Sequence, residues 1–136
     1  MRAGNKLKAD KKKSKLGIST ETPANSIMDL APLFSLTHIQ AAYCLSKCTR
    51  EEKAALADKM HLLCTLTWRE IFNSPRHANG FESLPNTAFN HVPEKFKDEK
   101  IIAFRFDGKK PMVGFRKREV FYILWLDRDF TLYRHS

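Results

Sequence analysis

The seven-residue run Val120-Phe121-Tyr122-Ile123-Leu124-Trp125-Leu126 constrains this chain more than any other feature. It has the length of a strand and the β-branched and aromatic content of one, and it is apolar on both faces. Such a segment is expected at the centre of a sheet, with helices packed on one side. Its neighbours fit the same sheet. Ile101-Ile102-Ala103-Phe104-Arg105-Phe106 precedes the turn Asp107-Gly108, and Met112-Val113-Gly114-Phe115 follows it. Phe130-Thr131-Leu132-Tyr133 comes after Asp127-Arg128-Asp129. Short apolar runs divided by short polar turns predict an antiparallel meander of about four strands.

The first half has a different period. From Leu36, the residues Ala41, Cys44, Leu45 and Cys48 recur at helical steps. Thr49-Arg50-Glu51-Glu52 is a capping box that starts a second helix. Its stripe is Leu56, Met60, Leu63, Thr67 and Ile71, widened by Ala55, Leu62 and Trp68, and it runs to about Phe72 before Asn73-Ser74-Pro75. Two helices joined so closely predict an antiparallel hairpin. Ile27 to Phe34, broken by Pro32, reads as a lead-in or short strand, and Ser74 to Lys97 as mostly loop. The expected organisation is a basic disordered arm over residues 1–25, then one α+β domain over 26–136 in which a helical hairpin packs on a C-terminal sheet.

With 43% hydrophobic residues, ten Phe, two Trp and three Tyr, the 136-residue chain has material for a real core. No apolar run approaches the roughly 20 residues that span a bilayer, so no membrane association is expected. No apolar stretch follows the basic start, which argues against a secretory signal. Three Cys suit reduced thiols in a cytoplasmic protein. The net charge of +9 has two sources. Residues 1–15 carry seven basic side chains against Asp10, and residues 94–136 carry eleven against seven acidic ones. Both regions suit a polyanion such as RNA or DNA, and a lysine-rich terminus also serves simply as a solubiliser. The lysines assigned to nucleic-acid contacts are Lys11, Lys12 and Lys13 in the arm and Lys109, Lys110 and Lys117 in the sheet region.

Most chemical motifs fail on spacing. Cys44-x-x-x-Cys48 and His61-x-x-Cys64 each put two zinc-ligand types on one helical face, but small half-apolar residues at a helix interface explain them more simply. No Gly-rich phosphate loop and no Ser-His-Asp or Cys-His arrangement stands out, so neither metal nor cofactor is expected. Arg76-His77 lies in a polar loop, where a functional role is open and solvation is the simpler account. The sheet is more informative. Arg105, Arg116, Lys117, Arg118, Arg128 and Arg134 fall in or beside strands crowded with aromatics. In a meander, Arg105 and Arg116 can meet across neighbouring strands. Guanidinium groups on a rigid sheet bind phosphate and stabilise a pentavalent transition state. Phe115, Tyr122 and Tyr133 are candidates to stack an unpaired base. The plainer alternative is a charged sheet edge that guards against aggregation.

The layout of helical hairpin, loop and terminal sheet resembles the RelE/ParE superfamily of bacterial toxins. The loop is Pro75-Arg76-His77-Ala78-Asn79-Gly80-Phe81-Glu82-Ser83-Leu84. Ile102-Ala103-Phe104-Arg105-Phe106, Arg118-Glu119-Val120-Phe121-Tyr122 and Leu132-Tyr133-Arg134-His135 are similar to three strands of that family. The similarity spans residues 36–136, while the catalytic tail of many members and a counterpart of the basic arm are missing from the match.

The resemblance implies an mRNA interferase that partners an antitoxin and cleaves RNA without metal, in many members on the ribosome. On it, Arg105 and Arg118 take phosphate and transition-state contacts, and Tyr133 or His135 takes the acid–base role, His135 because imidazole titrates near neutrality. Arg116 joins them from local charge alone. The alternative function is a non-catalytic nucleic-acid-binding or host-interaction protein of phage or plasmid origin, which the missing tail favours. A ParE-type gyrase poison is a weaker third.

Overall fold

The computed structural model describes residues 24–134. The expected basic arm lies outside these residues except for its last two, which open a single helical turn, α1 (Ala24–Ile27). Then follow β1 (Leu33–Ser35), two short 3-10 turns, α2 (Arg50–Cys64), α3 (Trp68–Phe72), β2 (Glu82–Leu84), β3 (Ile101–Asp107), β4 (Lys110–Lys117) and β5 (Val120–Leu126). The fold is α+β, with one long helix, two short ones and a five-stranded sheet in the order β1-β5-β4-β3-β2. Among the described residues no helix is long and apolar enough to cross a membrane.

The three long strands and their turns form as the apolar runs require. β3, β4 and β5 pair antiparallel, and Gly108 at the first turn takes a left-handed φ of 60°. The sheet gains two edge strands beyond the expected meander. β2 arises inside the presumed loop, antiparallel to β3, and β1 runs parallel to β5, which makes the sheet mixed. β5 is therefore paired on both edges. That leaves no ladder for the expected strand at Phe130–Tyr133, which forms only one bridge, between Tyr133 and Phe89. Its amides go elsewhere. The buried Asp127 carboxylate accepts from Thr131 N at 2.9 Å and Leu132 N at 3.0 Å, closing a turn instead of a strand.

The helical hairpin also needs correction. Leu36 to Cys48 does not form a helix; its 3-10 turns cover Ala41–Tyr43 and Leu45–Lys47. This stretch follows the edge of β5, where Gln40 N donates to Leu124 O at 2.8 Å, and it packs on both sides of the sheet. His38 and Tyr43 pack on one side, while Leu45 and Cys48 reach the other. One straight helix cannot serve both. α2 starts at the expected box, with Thr49 and Glu52 capping each other. It stops at Cys64, and α3 opens on a second box of the same kind, Thr67 with Glu70.

The sheet is covered on both faces. One face packs Leu56, Leu63, Trp68 and Ile71 of the helices against Ile102, Phe104, Phe121 and Ile123. The other packs Ile101, Ala103, Val113, Phe115 and Leu124 under the 86–97 loop and the C-terminal turn, with Phe89, Phe96, Leu132 and Tyr133 above. Each fully buried side chain of this size contributes about 1.5–3 kcal/mol. A bulge between Val113 and Gly114 turns Leu124 and Trp125 to the same loop-covered face. A Cβ at Gly114 would sit 1.9 Å from Tyr122 O, so only glycine fits this close approach.

Candidate functional site

The alternation of β3 places Ile101 and Ala103 on the loop-covered face, and Arg105 follows them in phase. Arg105 is paired with Pro111 just before an irregularity in the ladder, where the strand bends toward its turn. The C-terminal turn, fastened by Asp127, brings Tyr133 and Arg134 to the same place. Arg76 arrives from the loop after α3, and Lys109 from the β3–β4 turn. Together with Glu82 of β2 they line a cavity of about 250 Å³. Four cations thus surround one space with one carboxylate beside them. Arg76 Nη1 lies 3.0 Å from Glu82 Oε1.

Tyr133 is buried in the wall of this cleft, stacked edge-on against Phe89 at 5.4 Å. Burial pushes its phenol up to about 12, with Glu82 and Asp127 adding to the rise and Arg76 and Arg105 opposing it. The hydroxyl therefore stays protonated at neutral pH and is a donor. His135 and the arm lysines Lys11, Lys12 and Lys13 lie outside the described residues.

The other expected site residues lie apart from the cleft. Arg116 extends from β4 beyond the residue paired with Ile101, roughly 16 Å along the strands from Arg105 at about 3.3 Å per residue. It also faces the helices. Its guanidinium lies 5.3 Å from the Trp68 ring and 5.5 Å from that of Phe72, and donates to Arg118 O at 2.7 Å. Arg105 and Arg116 do not meet, because register and strand alternation put them at opposite ends and on opposite faces. Arg118 occupies the β4–β5 turn with φ 56°, and Lys117 beside it pairs with Glu99 at 3.2 Å. Lys110 and Arg128 both bind the buried Glu52, at 2.9 and 3.0 Å. This clamp fastens α2 to the sheet, and the Thr49 amide, with Lys110 and Arg128, holds the Glu52 carboxyl down at about 2.

Of the expected residues, then, the cleft joins Arg105, Lys109 and Tyr133. To these the fold adds Arg134, one of the arginines of the sheet region, Arg76, from the polar loop, and Glu82, which carries no signal in the sequence. Phe115 and Tyr122 stack on each other and on His38 within the loop-covered face, away from the cleft. Among the described residues no three His, Cys, Asp or Glu side chains form a group able to hold a metal. Cys48 is buried, and Cys64 donates to Pro32 O.

Set against known proteins, the chain matches no family model, no curated protein and no solved structure.

Proposed function

We propose that the cleft binds the phosphate backbone of RNA and cleaves it, the activity of a toxin-like mRNA interferase with a cognate antitoxin. The observation that carries this reading is the convergence of Arg76, Arg105, Lys109 and Arg134 on one cavity that Tyr133 and the carboxylate of Glu82 also line. Guanidinium groups fixed around a phosphate stabilise the extra negative charge of its pentavalent transition state. In the reaction the RNA 2′-oxygen bonds to the adjacent phosphorus, and the bond from phosphorus to the 5′-oxygen breaks. Glu82 takes the 2′-hydroxyl proton, and the Tyr133 phenol gives its own to the leaving 5′-oxygen. The products are a 2′,3′-cyclic phosphate and a free 5′-hydroxyl.

The test is single-turnover cleavage of an mRNA, on purified ribosomes and free in solution. Tyr133→Phe is expected to cost roughly 10²- to 10⁴-fold in rate with little change in affinity, because cations carry the phosphate contacts. His135→Ala in the same assay measures the share of the residue next to Arg134. RNA bound but left intact by the wild type in both settings would instead establish the non-catalytic alternative. One observation favours that second reading: Glu82 is already engaged by Arg76, which competes with its use as a base.

A further inference from the structure

Phe130 lines the same cleft as Arg105, Lys109 and Arg134 and is 42% exposed; Phe72, the other exposed Phe among the described residues, lies under the Arg116 guanidinium instead. Its backbone is left-handed, with φ 58°, a region that bulky side chains rarely adopt. It sits in the turn that Asp127 fastens by accepting from the amides of the next two residues, Thr131 and Leu132. A glycine or asparagine would meet this backbone conformation more easily, and the phenyl ring here forms apolar lining beside Arg105, Lys109 and Arg134.

We propose that Phe130 is a stacking platform for an unpaired base, and that the cleft therefore takes single-stranded RNA, one base on Phe130 and its phosphate among Arg105, Lys109 and Arg134. The inference rests on the reading of the cleft as a phosphate site. Every base has a π face, so a ring beside fixed cations recognises a flexible nucleotide with little sequence preference. In a duplex the same face is covered by neighbouring base pairs, which excludes double-stranded RNA.

Affinities of a 2′-O-methyl RNA, which resists cleavage, test the proposal by fluorescence anisotropy with three probes: a single strand, its duplex, and the same strand with its bases removed. Phe130→Asn should keep the turn and the melting temperature while weakening the single strand about 5- to 150-fold. Phe130→Trp should bind it at least as well as the wild type, and the base-free strand should be insensitive to either change. If Phe130→Asn binds the single strand like the wild type while Arg105→Ala does not, stacking is wrong and the phosphate site stands. If Arg105→Ala also has no effect, the phosphate site itself is wrong. A duplex bound as tightly as the single strand overturns the substrate class.

Discussion

Arg76 Nη1 and Glu82 Oε1 lie 3.0 Å apart, joining the loop after α3 to the edge strand β2 within the lining of the cationic cleft. Both side chains are more than a third exposed, so the pair adds under about 1 kcal/mol to stability. Its consequence is chemical. Glu82→Gln removes the carboxylate and frees Arg76, so RNA should bind as tightly as before or several-fold tighter. Cleavage should slow roughly 10²- to 10⁴-fold if Glu82 is the base. Equal cleavage rates for Glu82→Gln and wild type would remove Glu82 from the chemistry.

Glu52 makes stability depend on acid. Its folded carboxyl is held at about 2 against an ordinary 4.5 by the Thr49 amide, Lys110 and Arg128. A depressed folded value means that the unfolded chain takes up the proton first. The contribution is complete above about pH 4.5 and is lost as pH falls toward 2. Urea midpoints of the wild type should decline through that window. Glu52→Gln should be less stable at neutral pH by about 1–3 kcal/mol, and its decline there should be shallower. Parallel pH profiles for the two proteins would contradict the clamp.

Arg116 should prove structural. Its guanidinium covers Trp68 and Phe72 and is fastened to the Arg118 carbonyl, so Arg116→Ala exposes both rings and leaves that carbonyl without this donor. The expected cost is about 1 kcal/mol in thermal unfolding, with RNA affinity unchanged. Burial depresses its guanidinium in the same sense as a packing role. A loss of affinity at full stability would return Arg116 to the site.

What was legible in the sequence followed from local pattern. The two-faced apolar run at Val120–Leu126 announced a strand paired on both edges, although β4 rather than β5 is the middle one, and the Thr49–Glu52 box marked the start of α2 to the residue. The second box, Thr67 with Glu70, was equally visible, but the apolar stripe continuing across it concealed the break. β1 and β2 are three residues each and owe their existence to partners far along the chain, which no local period can show. The make-up of the cleft was hidden in the sequence for the same reason. Arg105 and Arg116 look like neighbours until the register is known, whereas Arg76, Glu82 and Arg134 come from three distant segments gathered by the fold.

The central claim is that the loop-face cleft, rather than the β4–β5 turn, is where RNA is bound. Its most direct test is the salt dependence of affinity for the uncleavable single strand. Arg105→Ala with Arg134→Ala is compared with Lys117→Ala with Arg118→Ala, two pairs that each remove two exposed or half-buried cations. On a single strand each phosphate contact adds about 0.7 to the slope of log affinity against log salt. The cleft pair is expected to lower that slope by about 1.4 and the turn pair to leave it unchanged. A slope that falls for the turn pair and holds for the cleft pair would contradict the assignment.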